Sequence, residues 1–394
     1  NAFPSAIPGE NTKASTMVGT GQNKQLTGIL PSTGIVVNNK TYAATPFNAL
    51  RYEVNRVRSS AIAVNKPIYP TVFSKTKIPA STGYTTLLAN NDLYQEMLLH
   101  AALTGSRKYI YLNTQTASTD DALLNNALTE FDQQVGTSTV LTRLADNGAD
   151  WDQPYILTAA LSGTSKVWRF TPELTANKTL SATLLTAYPG QFALNNGLKL
   201  TIPNAKVQTL AKPISSQGFW LKEEVSSNII KCAAPSVNQT CTTYYPSSDL
   251  TQQAALIAEQ PAVFNDTGTL SPLFVKNWGY GGADISAKTD GFSVVYQANL
   301  NLLGGNYNFT LRADDSAQVW IDDQLVLDGS TNTAINARTL SKELNLTPGS
   351  HNIRLQYTDI SAAAAVDLSF KRLTCSTSTT KTCLTYIDKS GNTL

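Results

Sequence analysis

Apolar positions along this chain fall into two textures. Between residues 46 and 136 they recur every three or four positions, with short apolar runs in between. Elsewhere they alternate with polar positions in short runs bounded by Gly, Asn, Asp and Pro. The first texture predicts helices separated by buried strands, and the second predicts half-buried antiparallel strands.

In the first texture Phe47, Leu50, Val54 and Val57 predict an amphipathic helix from Pro46 to about Asn65. A strand is expected over Ile68–Phe73, then a helix from about Asn91 with Leu93, Met97, Leu98 and Ala101 on one face and Gly105 as its stop. Tyr109–Leu112 reads as a second strand. Ser118 to Asp121 reads as a capping box that opens a third helix through Leu124, Leu128 and Phe131 to Gly136. This alternation is that of a parallel β/α unit, yet two strands make only a partial layer with an open edge.

The second texture divides into three stretches. Tyr155–Ala160, Lys166–Phe170, Ala182–Leu185, Leu198–Ile202 and Gly218–Leu221 predict a small β-sandwich over 137–225. Residues 226–260 read as a linker, stapled between Cys232 and Cys241, with a short helix at Leu250–Glu259. From 261 to 373 the runs Phe292–Tyr296, Tyr307–Leu311, Gln318–Ile321, Leu325–Leu327 and Ile353-x-Leu355-x-Tyr357 predict a β-sandwich of roughly 100 residues, with Asp322-Asp323 as a hairpin turn. Residues 374–394 form a stapled tail. Residues 1–45 lack periodicity apart from Thr33–Val37 and Thr41–Ala43, and read either as a leader or as an extended arm that adds a strand to a sheet edge. The fold class expected is therefore multidomain, α/β plus all-β.

The C-terminal stretch also resembles a known family. Asn277-Trp278-Gly279, Phe292-Ser293-Val294, Gly305-x-Tyr307-x-Phe309, Ala313-Asp314-Asp315, Val319-Trp320-Ile321-Asp322, Leu325-Val326-x-Asp328 and Pro348-Gly349-x-His351 are similar to successive landmarks of the PA14 domain. That family occurs in bacterial toxins, glycosidases and fungal adhesins, and its modules bind glycans in some proteins and act as spacers in others. In the adhesin branch the Asp pair coordinates calcium, which in turn binds sugar hydroxyls. The resemblance thus implies Asp314 and Asp315 as metal ligands and Ca2+ as a cofactor; the alternative is that the pair caps a turn. The stretch from Lys66-Pro67 to Tyr111 resembles the last βα units of glycosidase barrels of the hyaluronidase type, with six barrel strands absent.

Composition narrows the function. Charged residues make up 15% of the 394 and hydrophobic residues 42%, so the surface is mostly uncharged and polar, as is common outside cells. Thirty basic against 28 acidic side chains leave a net charge of +2 with no Lys/Arg stripe, which excludes nucleic acid as a partner. No apolar run is long enough to span a membrane. The chain opens at Asn1 without a Met, as either a processed chain or one trimmed for expression would. The cysteines fall as two short pairs, Cys232 with Cys241 and Cys375 with Cys383, and no His or further Cys stands at zinc-ligand spacing. Two local disulfides and an oxidising, extracellular or cell-surface location follow. Glycosylation sequons stand at Asn39, Asn177, Asn238, Asn265, Asn308 and Asn345, about as many as chance supplies in so Asn- and Thr-rich a chain.

Catalytic chemistry finds little footing. The positions after the two expected strands hold Ser74, Lys75 and Thr76, and then Asn113, Thr114 and Gln115, with no carboxylate for glycoside hydrolysis. Glu96 and Glu130 read as solvated helix residues, His100 and His351 read as structural, and no Gly-x-Ser-x-Gly turn is present. No catalytic residue is assigned. The expectation is a non-catalytic extracellular structural or adhesive protein that self-assembles into a fibre through its arm. The alternatives are a calcium-dependent glycan-binding adhesin, or a fragment of a carbohydrate-active enzyme.

Overall fold

The computed structural model describes residues 25–26, 28–37, 40–64, 71–73, 84–86, 91–103, 110–112, 119–136, 141–147, 150–162, 165–173, 182–185, 190–203, 205–208, 218–223, 231–252, 254–279, 290–330 and 338–373. The chain divides into two compact units. The first holds Asn1–Ile230 with Gly281–Thr289, and the second Lys231–Tyr280 with Asp290–Leu394. As the sequence pattern implies, the architecture is multidomain, α/β plus all-β.

The first unit contains β1 (Gln25–Leu26), β2 (Ile29–Pro31), β3 (Ile35–Val37), β4 (Lys40–Tyr42), α1 (Pro46–Val64), β5 (Thr71–Phe73), β6 (Tyr84–Thr86), α2 (Asn91–Leu103), β7 (Ile110–Leu112) and α3 (Thr119–Val135). It continues with β8 (Leu141–Asp146), β9 (Tyr155–Ser162), β10 (Ser165–Pro172), β11 (Ala182–Leu184), β12 (Gln191–Leu194), β13 (Lys199–Thr201), β14 (Ala205–Gln208) and β15 (Phe219–Glu223). Helix α1 starts where Thr45 caps it, its Oγ1 accepting from the Asn48 N–H at 3.1 Å, with Pro46 in the first turn. Phe47, Leu50, Val54 and Val57 then line its buried face. Helix α3 buries Leu123, Ala127, Phe131 and Val135, and it stops at Gly136, whose φ of +80° suits glycine.

Strands β5 and β7 pair in parallel, and the edge expected to stay open is taken by β1 of the same chain. The expected free arm is thus folded inward from residue 25. β2 pairs with β6, and β3 with β4 forms a hairpin whose Tyr42 ring lies 5.5 Å from that of Trp151. Leu30 is fully buried in this small cluster. The stretch from Gly34 to Ala43, expected to reach a neighbouring copy, pairs with itself instead.

Strands β14-β15-β10-β9-β8 form one antiparallel sheet. One of its faces contributes Ile156, Ala160, Val167 and Trp220 to a core shared with Leu26 and all three helices. On the other face Phe170 stacks on Phe192 of the β11-β12-β13 meander, with ring centroids 4.8 Å apart. Both faces are covered, so β9 is buried almost throughout.

The second unit contains β16 (Gln239–Tyr245), β17 (Leu256–Pro261), β18 (Ser271–Gly279), β19 (Ser293–Leu302), β20 (Gly305–Asp314), β21 (Ser316–Ile321), β22 (Gln324–Asp328), β23 (Arg338–Leu346), β24 (Gly349–Thr358) and β25 (Ala364–Arg372). Strands β17-β16-β19-β24-β21-β22 run consecutively in one sheet and β18-β25-β20-β23 in another, all antiparallel. Tyr296 meets Phe274 across the sandwich at 4.9 Å, and Tyr357 stacks on Trp278 at 5.5 Å. The stretch expected as a linker supplies β16 and β17, so Leu256–Pro261 is a strand where a short helix was expected. Its apolar Leu256 and Ile257, which point to opposite faces of the strand, are both buried, and β16 pairs alongside.

Candidate functional site

The second unit gathers its carboxylates at the end where β20 gives way to β21. Asp314 closes β20, and a cis peptide bond links it to Asp315. The Tyr357 hydroxyl donates to the Asp314 carbonyl. Asp315 Oδ2 accepts from the backbone N–H groups of Ile360 (2.7 Å) and Ser361 (3.0 Å), which fixes the turn after β24. Asp290 Oδ1 accepts from the Ala362 N–H at 2.9 Å, and Asp359 Oδ2 from the Gly291 N–H at 3.1 Å. The β24–β25 turn and the segment leading into β19 are therefore laced together by aspartates.

This crowding has an electrostatic consequence. Asp314, Asp315 and Asp359 are 8%, 2% and 0% exposed. Burial, then the Asp315 charge, pushes the Asp314 carboxyl up. For Asp359 burial comes first and the Gly291 N–H works against it, while the charges of Asp315, Asp290 and Asp314 add to burial and raise it to about 7. Asp359 Oδ1 is buried without a hydrogen-bond partner among the described residues, and the Asp314 carboxylate accepts no hydrogen bond among them either. Hard carboxylate oxygens under mutual repulsion suit a hard divalent cation in kind. Among the described residues no three His, Cys, Asp or Glu side chains are grouped for one, so Asp314 and Asp315 would need ligands from elsewhere.

Asp322 and Asp323, with φ of 48° and 63°, form the two-residue turn between β21 and β22. His351 is held by Asp322 Oδ2 at 2.7 Å and the Thr347 carbonyl at 2.8 Å. Cys232 and Cys241 are disulfide-bonded, whereas Cys375 and Cys383 lie outside the described residues. Asn238, Asn265 and Asn345 are exposed and Asn308 is half-buried on β20; Asn39 and Asn177 lie outside the described residues. So do Ser74, Lys75, Thr76, Asn113, Thr114 and Gln115.

Glu96 and Glu130 correct the expectation of solvated helix residues, being 0% and 2% exposed. Helix α2 is buried nearly all round, with Tyr94, Leu99, Ala102 and Leu103 inside as well as its expected face, so Glu96 has no wet side. Arg169 of β10 answers both carboxylates. Its Nε donates to Glu96 Oε2 at 2.9 Å, a second nitrogen donates to Glu96 Oε1, and a third donates to Glu130 Oε1 at 3.0 Å. Thr171 Oγ1 donates to Glu96 (2.6 Å), Gln95 Nε2 to Glu130 Oε2 (2.6 Å) and Trp220 Nε1 to Glu130 Oε1 (2.7 Å). His100 spans Thr158 and Thr171, each at 2.8 Å. Burial alone would raise the Glu96 carboxyl, but the charge and hydrogen bonds of Arg169 outweigh it and hold it down at about 2. This is a buried clamp between helices and sheet; it presents no carboxylate to solvent.

The PA14 domain family matches residues 243–382. Comparison with curated proteins gives no match. Among solved structures, the chain is similar to an anti-sigma factor domain-containing protein at 22% identity, covering 34% of this chain and 42% of that one, with a TM-score of 0.28. It is similar to the PA14 sugar-binding domain from an RTX adhesin at 21% identity, covering 34% and 90%, with a TM-score of 0.24. Similarity to the β-glucosidase from Kluyveromyces marxianus in complex with glucose is at 11% identity, covering 72% and 32%, with a TM-score of 0.25. The landmarks from Asn277 to His351 and the family match coincide on the second unit, and the chain carries a PA14 domain over residues 243–382.

Proposed function

We propose that the PA14 domain binds carbohydrate through a calcium ion held at Asp314 and Asp315, as the recognition module of an extracellular adhesive protein. The observation that carries this reading is the buried, mutually repelling acid pair at the Ala313-Asp314-Asp315 landmark. A divalent cation there would cancel the repulsion and offer open coordination positions, which vicinal sugar hydroxyls fill as hard oxygen ligands. The Cys232–Cys241 disulfide supports an oxidising location, and among the described residues no helix is long and apolar enough to cross a membrane. Adhesion of this kind needs no strand exchanged between copies, in keeping with β1 and the β3–β4 hairpin being used within their own chain.

Thermal unfolding of the full chain tests the cation. Asp314 is the residue to change, since its carboxylate accepts no hydrogen bond among the described residues while that of Asp315 fixes a turn. In metal-free buffer Asp314→Asn should unfold at a temperature equal to or above the wild type, because it removes a repelled charge. Calcium at 100 times its Kd should stabilise the wild type by about 2.7 kcal/mol and leave Asp314→Asn unmoved. A wild type indifferent to calcium would leave the pair as turn chemistry.

A further inference from the structure

We propose that the outer face of the sheet β19-β24-β21-β22 carries a second glycan site, independent of any cation, in which Arg354 receives the carboxylate of an acidic sugar. The proposal shares the carbohydrate reading of the domain but makes no use of the acid pair.

Strand alternation builds the face. Strand β24 sends Ile353, Leu355 and Tyr357 inward and Asn352, Arg354 and Gln356 outward. Strand β21 buries Val319 and Ile321 and turns Gln318 and Trp320 out, and β19 does the same with Gln297 and Asn299. Register sets Gln297, Arg354, Trp320 and Leu325 in one cross-strand row, and Val295, Gln356, Gln318 and Asp328 in the next.

In the first row the Arg354 Cζ lies 4.0 Å from the Trp320 ring centroid. Stacking occupies one face of the guanidinium and leaves its N–H edge free in the plane. Arg354 is exposed, and among the described residues no carboxylate pairs with it. The acids around it are engaged: Asp322, beside Asn352, accepts from the Asn352 N–H at 2.9 Å and from His351 at 2.7 Å, and Asp328, in the next row, accepts from Gln318 Nε2 at 3.1 Å and from the Ser330 N–H at 3.0 Å. Gln297 across the strand and Gln356 two residues along bring side-chain amides that make no hydrogen bond among the described residues. A planar cation held on an indole and flanked by two free amides is thus displayed on an open sheet.

Three features select the ligand. A fixed guanidinium edge matches a carboxylate by two parallel hydrogen bonds. One cation on the face suits sparse charge, whereas sulfated polymers and nucleic acids are held by several. Amides both donate and accept, as neighbouring hydroxyls require. A protein partner would need an apolar centre, and the row offers only the Trp320 edge and Leu325, which is 44% exposed.

The test titrates the full chain, in buffer stripped of divalent ions, with galacturonic acid oligomers, neutral galactose oligomers and dextran sulfate. Galacturonic acid oligomers should bind and the neutral oligomers bind at least about tenfold more weakly, the worth of a charged hydrogen-bond pair. Arg354→Gln should lose about tenfold in affinity, and Arg354→Lys, which keeps the charge but not the fork or the stack, should also weaken binding. Neither should shift the melting temperature appreciably, since the side chain is exposed. Asp314→Asn should bind as the wild type does, which separates this site from the calcium site. Absence of binding, binding indifferent to Arg354→Gln, or dextran sulfate bound as tightly as galacturonic acid oligomers would each overturn the proposal.

Discussion

Replacing Glu96 by Gln removes one charge from the Arg169 clamp while keeping the side-chain volume. The fall of the Glu96 carboxyl from an ordinary 4.5 to about 2 corresponds to about 3 kcal/mol in favour of the folded state at neutral pH. Breaking one partner out of a buried ion pair generally costs about 3–5 kcal/mol, which is of the same size. Glu96→Gln should therefore destabilise the first unit by about 3 kcal/mol. Urea unfolding of the full chain followed by tryptophan fluorescence reads this, since Trp220 donates to Glu130 and lies 4.8 Å from Arg169. The sign with pH is fixed too. A depressed carboxyl stabilises fully above its unfolded value near 4.5 and loses its contribution as pH falls through about 2, so wild type and variant should converge in strong acid. A loss below about 1 kcal/mol at pH 7, or a gap that persists at the lowest pH, would refute the clamp as the link between helices and sheet.

Three further outcomes follow from the second unit. Burial lowers the His351 imidazole, but hydrogen bonds to Asp322 and Thr347 outweigh it and raise it. Its contribution is full below about 6.5 and is lost as pH rises through the raised value. With Asp322 46% exposed the effect is at most about 1 kcal/mol, and Asp322→Asn should flatten it in melting curves taken across neutral pH. Reducing Cys232–Cys241, which closes a sequence separation of 9, should cost this unit about 2–3 kcal/mol, read as a lower urea midpoint under reductant. Trp278→Ala, which removes the ring stacked on Tyr357 and edge-on to Phe292, should cost about 3–5 kcal/mol, and a loss under 1 would contradict its place in the core.

The parts of the fold legible in the sequence are those where one face is wet. Val319 and Ile321 alternate with Gln318 and Trp320 because β21 has a core side and a solvent side, and Phe47, Leu50, Val54 and Val57 repeat because α1 does. Where both sides are alike the pattern vanishes. Strand β23 is exposed along most of its length, and β1 is two residues long, so neither announces itself. Glu96 looked solvated because its partner Arg169 lies 73 positions away, and no local spacing records that contact. At the candidate site the acid pair was legible as Asp314-Asp315. The roles of Asp290 and Asp359 were not, since they arrive on turns that only the sandwich brings to that end.

Calcium-dependent carbohydrate recognition by the PA14 domain is decided by binding of the full chain to an array of neutral glycans, with calcium and in metal-free buffer, for the wild type and Asp314→Asn. The wild type should bind a subset of glycans with calcium and lose it without, and Asp314→Asn should bind none of that subset in either condition. Glycan binding that survives both metal removal and Asp314→Asn, or no glycan binding with calcium present, contradicts it.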